Sequence, residues 1–385
     1  MEKFETLYLH IGTRKTGTTV LQNFFYDNKE LLMKKGILYP TSDLLMRKGT
    51  THHHRVVENK RVDGIRTREQ ILEEKSKAKV CLISSEILED FRDNTDRLQE
   101  LFKLAVNIKV IVYLRRQDSY LESLYCQKIK MRRCKSDIYD FEDEVCLDYC
   151  ILLDFWSGLV GKENIIVRPY EKEHFVGANI FDDFLSIFNL RSVEGFRILK
   201  SFSNPSLDSA ALEFRRLVNF LELPRDLHVK VGRLLEVRSL DLGKDKTFSD
   251  HGILTTQEKI TYIKKYEESN NSIAKEFLKT DVLFTAELPR FLDKDKDKET
   301  DCLSVARIEE IVKYLLDEDS DLVSILSIYL QVYLKIGLVD EYVMDKMNIM
   351  FQIMNTYNEN KKSIFVSSMF KRYWIYLKMK RKLHG

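Results

Sequence analysis

Residues 108–114 read IKVIVYL, a run that is apolar at every position but one and rich in β-branched side chains. A run like this suits a strand covered on both faces, the situation of a parallel strand inside an α/β fold. Three shorter runs fit the same role: Thr6 to Ile11, Val80 to Ile83, and Asn164 to Val167, the last stopped by Pro169. Helical spacing lies between them. Thr18 to Lys35 sets Leu21, Phe24, Phe25, Leu31 and Leu32 on one broad face, and Gly36 ends it. Strands alternating with helices predict the α/β class, here a three-layer, P-loop-like parallel sheet flanked by helices.

The chain has 385 residues, enough at about 150 per domain for one large or two ordinary domains. Beyond residue 170 the pattern is mostly helical. Residues 291–301, FLDKDKDKETD, are charged and lack an apolar period, as a linker or solvated loop does. A first domain over residues 1–296 and an all-helical C-terminal extension over 297–385, of unassigned role, are therefore expected. The longest apolar run, Leu322 to Val339, contains Gln331 and Lys335 and reads as a buried helix rather than a membrane span. The opening residues, MEKFETLYLHIG, have no long apolar stretch after a basic start, so no signal peptide is expected.

Six cysteines (Cys81, Cys126, Cys134, Cys146, Cys150 and Cys302) include no Cys-x-x-Cys pair and no zinc spacing. They are expected to be free thiols in a reducing, cytoplasmic compartment, and no metal site is expected. Sixty-two Lys+Arg against 60 Asp+Glu leave a net charge of +2, too little field for a generic nucleic-acid binder.

Residues 12–19 are Gly-Thr-Arg-Lys-Thr-Gly-Thr-Thr, between an expected strand and an expected helix. A phosphate-binding loop belongs there, because helix N-terminal amides point at the anion and the dipole favours negative charge. Gly12 and Gly17 permit close backbone approach. Lys15 supplies a point charge, and Thr16, Thr18 and Thr19 supply hydroxyls. Gly12 and Gly17 fit the spacing G-x-x-x-x-G-K-[ST], but Thr18 stands where that pattern has Lys, and the lysine has moved forward to Lys15. The Lys-then-Ser/Thr pair that serves a magnesium-bound β,γ-phosphate is missing, which argues against an ordinary ATPase or kinase.

The run from His10 to Gln22 resembles the 5′-phosphosulfate loop of sulfotransferases that use 3′-phosphoadenosine 5′-phosphosulfate (PAPS), most of all a bacterial carbohydrate branch. It departs from them in Arg14, where many members have Pro. A second segment matches in the right order. After residues 108–114 come Arg115 and, eight residues later, Ser123, the spacing of the family's 3′-phosphate motif. A guanidinium fork and a serine hydroxyl suit a phosphate dianion, and Arg116 is a weaker candidate for the same role. The resemblance implies that residues 1–296 form a PAPS-binding catalytic domain. It implies PAPS contacts from Arg14, Lys15, Thr16, Gly17, Thr18, Thr19, Arg115 and Ser123, with Lys15 also stabilising the departing phosphate. Thinner likeness extends to Val167–Lys172 with Asp182 to Leu185, and to Ser203–Leu207 with Arg215, Arg216 and Asn219. Asn204 and Ser206 are candidates for closing a loop over the nucleotide, while Arg168 also reads as a buried ion pair and Asn-Pro-Ser as a helix N-cap.

An alcohol acceptor has to lose a proton. Glu86 follows an apolar strand and is expected at the carboxyl edge of the sheet, where it is either the general base or a structural cap or ion pair. His10 and the run His52-His53-His54 are the histidine alternatives. The resemblance implies a saccharide or glycolipid acceptor, and the basic stretch from Ser42 to Arg68 either lines an acceptor cleft or is a solvated loop. Residues 371–383 mix aromatics and bases, suited to an anionic membrane surface at the inner face or to packing on their own domain. The competing readings are an ATP-dependent phosphotransferase on a degenerate P-loop and a non-catalytic nucleotide-binding scaffold.

Overall fold

The computed structural model describes residues 2–42, 44–47, 50–53, 64–93, 95–131, 134–190, 193–198, 207–242, 253–287, 302–336 and 339–358. Its strands are β1 (Phe4–Gly12), β2 (Ile37–Leu38), β3 (Leu45–Arg47), β4 (Thr50–His52), β5 (Val80–Ser84), β6 (Ala105–Leu114) and β7 (Ile165–Pro169). Five of them form one sheet in the order β2-β5-β1-β6-β7, with every neighbour parallel. β3 and β4 pair separately as an antiparallel hairpin. The α/β class with a parallel sheet flanked by helices is as expected from the sequence. The four strands read there are all present, with ends moved by up to three residues.

The helices are α1 (Thr18–Asp27), α2 (Lys29–Lys34), α3 (Gly64–Glu73), α4 (Thr95–Phe102), α5 (Gln117–Lys130), α6 (Ile138–Glu142), α7 (Tyr149–Val160), α8 (Ile180–Ser186), α9 (Ser209–Phe220), α10 (Arg225–Leu242), α11 (Thr256–Lys265), α12 (Glu267–Ile273), α13 (Val305–Glu318), α14 (Ser320–Leu334) and α15 (Glu341–Asn358). Strand side chains alternate between two buried layers. Val110, Val112 and Leu114 join Leu153 and Trp156 of α7 and Leu98 of α4 on one face. Ile111 and Tyr113 join Phe25 of α1 and Phe184 of α8 on the other. A strand buried on both sides has no polar face to show, which is why residues 108–114 carry no alternation.

The single helix expected over residues 18–35 is two. Asn28 donates through its side-chain amide to the carbonyls of Phe24 and Arg197, both at 2.8 Å, and accepts from the Arg197 N–H at 2.7 Å. With φ −113° and ψ 14°, its backbone leaves the helical region and the chain bends there.

The chain divides into two compact units, one drawn from residues 1–120, 146–203 and 259–289, the other from 121–145, 204–258 and 290–385. The sheet belongs to the first. The boundary expected near residue 297 and the charged stretch 291–301 lie outside the described residues. In the second unit α13, α14 and α15 pack on one another. The run expected to be a buried helix is α14, which buries Leu322, Val323, Leu326 and Leu330. Among the described residues no helix is long and apolar enough to cross a membrane. All six cysteines are unbridged.

At the start of α5 a buried amide pair reciprocates. Gln117 Nε2 donates to Asn270 Oδ1 at 2.9 Å, and Asn270 Nδ2 donates to Gln117 Oε1 at 3.0 Å. Asn270→Leu alone strands the Gln117 amide in the interior and is expected to cost about 1–3 kcal/mol in urea unfolding. Replacing both residues with Leu is expected to recover most of that loss.

Candidate functional site

After β1 the chain builds β2 and β5 on one side, then crosses to β6 and β7 on the other, so strand order reverses between β1 and β6. In open parallel sheets the crevice beyond the carboxyl ends at such a reversal is where ligands bind. Residues 13–17 and 115–117 occupy it.

The loop after β1 is held from inside. Thr13 donates its N–H at 2.9 Å and its hydroxyl at 3.1 Å to the same acceptor, the Tyr113 carbonyl of β6. Thr16 donates its hydroxyl to the Thr13 carbonyl. Lys15 (φ 63°) and Gly17 (φ 75°) both adopt left-handed backbone. Such turns gather successive N–H groups into anion-binding concavities. Gly17 also begins α1, its carbonyl accepting from Leu21 N–H at 3.0 Å. A Cβ on Gly17 would lie 2.9 Å from Ile180 Cδ1 and 3.3 Å from Tyr170 Oη, and its φ of 75° is one that other residues rarely adopt. Lys15 is half-buried, Thr18 buried and Thr19 exposed.

Arg115 meets this loop. Its Nη1 donates to the Lys15 carbonyl at 3.1 Å and its Nε to Ser119 Oγ at 2.8 Å, with the guanidinium 6.0 Å from the centre of the Tyr170 ring. Ser123 is buried further along α5, in the part of that helix belonging to the second unit. Arg116 turns elsewhere: it forks onto buried Asp118 at 2.9 and 3.0 Å and reaches the Ala286 carbonyl at 3.2 Å.

Glu86 opens the 3₁₀ helix Glu86–Asp93 directly after β5, at the carboxyl edge as expected. Gln22 of α1 donates to its Oε2 at 3.1 Å. Burial, and then the Glu86 charge, push the fully buried Tyr39 phenol far above its ordinary range. Three of the four histidine alternatives are buried. His10 is fully buried, with Nδ1 2.8 Å from Ser84 Oγ, and burial pulls it down to about 3. His53 is buried too. Its Nδ1 accepts from the Ser84 N–H at 3.1 Å, so Nε2 carries the proton donated to the Pro40 carbonyl at 2.9 Å. Burial, opposed in part by those backbone bonds, lowers it to about 4. His52 is buried, and His54 lies outside the described residues.

Sequence reasoning passed over Glu89. It accepts from the Arg14 N–H at 3.0 Å, lies 3.6 Å from the Arg14 guanidinium, and accepts the Tyr120 hydroxyl. The spacing held a signal, because residues three apart share a face of a 3₁₀ helix, and Glu89 stands three after Glu86.

The thinner resemblances resolve into packing where they are described. Arg168 lies 3.9 Å from buried Asp183, which also accepts the Tyr113 hydroxyl at 2.6 Å. In the second unit Arg215 donates to the His228 carbonyl at 2.7 Å, His228 pairs with Asn219 at 2.8 Å, and Arg216 bonds Glu213. Asn204 and Ser206, and the basic tail 371–383, lie outside the described residues. Among the described residues no group of three His, Cys, Asp or Glu is arranged to hold a metal ion.

No family model matches the chain, and no solved structure matches it. An uncharacterized protein of Archaeoglobus fulgidus is 33% identical over 184 residues, which cover 46% of this chain and 49% of that protein. The chain thus spans about half the length of the curated relative it matches.

The two buried histidines set a pH dependence. Each has a folded-state pKa below the ordinary 6.5, so the unfolded chain binds more protons in acid. The stability they contribute is fully present above pH 6.5 and is lost as pH falls toward 4 for His53 and toward 3 for His10. Urea midpoints taken from pH 7 to pH 4.5 are expected to fall, with up to about 1.4 kcal/mol lost per pH unit for each histidine. His53→Gln is expected to flatten that slope.

Proposed function

We propose that the chain is a sulfotransferase that moves a sulfuryl group from PAPS to a hydroxyl of a carbohydrate-type acceptor, a polysaccharide, oligosaccharide or glycolipid. The observation that carries this reading is the hydrogen bond from Arg115 to the Lys15 carbonyl, at the reversal of strand order. It joins in one crevice the two segments that resemble the family's 5′- and 3′-phosphate motifs. The loop suits an anion on its own account: left-handed turns at Lys15 and Gly17, and a helix that starts at its end.

When bound, PAPS supplies the transferable sulfuryl group and a nucleotide leaving group. In this reading Lys15 brings its ammonium charge to the 5′-phosphate, where negative charge builds as the group departs. Arg115, held through its Nε by Ser119, gives a donor fork to the 3′-phosphate. Glu86, oriented by the Gln22 amide, takes the proton from the acceptor hydroxyl onto a carboxylate oxygen. A sulfuryl group carries one negative charge where a phosphoryl group carries more, so the Lys15 charge at the 5′-phosphate suits the transfer.

Calorimetric titration in EDTA with 3′-phosphoadenosine 5′-phosphate (PAP), ADP and ATP tests the reading. Tight PAP binding beside weak ATP binding is expected. A magnesium-dependent preference for ATP would favour a phosphotransferase instead. Arg115→Ala is expected to weaken PAP by roughly tenfold or more and adenosine 5′-phosphate far less, and equal losses would remove the 3′-phosphate role. With labelled PAPS and a glycan acceptor, Lys15→Ala is expected to abolish transfer, and Glu86→Gln to lower kcat by about 10²- to 10⁴-fold. PAP binding without transfer to any acceptor, unchanged by Glu86→Gln, would point to a non-catalytic scaffold.

A further inference from the structure

We propose that Glu89 is the positioning residue that holds the β1 loop in its anion-binding shape, an inference that rests on the reading of that loop as a phosphate site. One carboxylate ties together the connections that follow the three central strands. Arg14 belongs to the loop after β1, Glu89 to the 3₁₀ helix after β5, and Tyr120 to the first turn of α5 after β6. Tyr120 is almost wholly buried and its own N–H is held by the Arg116 carbonyl at 2.9 Å, so the carboxylate is braced against a fixed partner.

What Glu89 braces is the residue before the strained one. Lys15 sits at φ 63°, a conformation that residues other than glycine keep only where their surroundings hold them. Arg14 is gripped on both its main chain and its side chain by the same carboxylate. Thr13 is fixed on β6 from the other side. Between these two anchors the Lys15 peptide turns. The Arg14 N–H is directed to Glu89, so Arg14 acts as a strut of the loop at the residue before the left-handed turn. Glu89 acts through Arg14 without touching the nucleotide.

The test compares wild type, Glu89→Gln and Glu89→Ala by calorimetry with PAP, adenosine 5′-phosphate and adenosine 3′-phosphate, alongside melting temperature. Glu89→Ala is expected to weaken PAP and adenosine 5′-phosphate by the same factor, about tenfold or more, and to leave adenosine 3′-phosphate unchanged. Glu89→Gln, which keeps an acceptor oxygen, is expected to recover most of the loss. Equal losses for all three ligands would make Glu89 a general structural residue and overturn the proposal. Tighter PAP binding on removal of the charge would overturn it too. Should wild type bind none of the three, the phosphate-site reading fails by itself, and amide exchange at Arg14 and Lys15 decides for Glu89. Exchange at least tenfold faster in Glu89→Ala at an unchanged melting temperature supports the anchor, and unchanged exchange refutes it.

Discussion

Two donors of Thr13 converge on one oxygen, the Tyr113 carbonyl, and the carboxyl edge of the sheet depends on that convergence. β1 is buried on both faces, and its pairing with β6 shifts register between His10 and Gly12 before Gly12 pairs with Val112. The Thr13 bonds extend that pairing past the end of the strand. They fix where the loop leaves β1 relative to Tyr113, and Arg115 follows two residues later, just past the end of β6. Tyr113 is secured in turn. Its hydroxyl donates to Asp183, and burial, reinforced by the Asp183 charge, keeps the phenol well above its ordinary range and therefore a donor. The edge is thus positioned from the core outward, through β6 to β7 and α8.

Both signs of charge meet at this edge. Glu89 and Asp118 take up Arg14 and Arg116, and these pairs stay within a few residues of the crevice. Arg115 donates to neutral oxygens, a carbonyl and a hydroxyl. Those two bonds orient the guanidinium over the turn at Lys15.

The central strands were legible because burial on both faces leaves an unbroken apolar run, and residues 80–83 and 110–114 carry such runs. β2 was not: two residues are too few to show a period. The break between α1 and α2 was hidden for a different reason, since Asn28 takes its partner from Arg197, 169 positions away. The candidate loop could be read because its glycines, lysine and threonines are contiguous. The roles of His53 and Glu89 could not, because each is defined by partners on other elements. A histidine whose two ring nitrogens serve backbone groups on two segments looks, in a linear string, like any histidine of a polar loop.

The left-handed backbone at Lys15 separates what the fold prefers from what the site uses. Glycine or asparagine would occupy φ 63° with less strain than lysine, by roughly 1 kcal/mol. A population of variants selected only for thermal resistance would therefore drift away from lysine at this position, and on the phosphate-site proposal one selected for ligand capture would return to it. Position 15 is a place where the two pressures can be read apart in a single experiment of directed evolution.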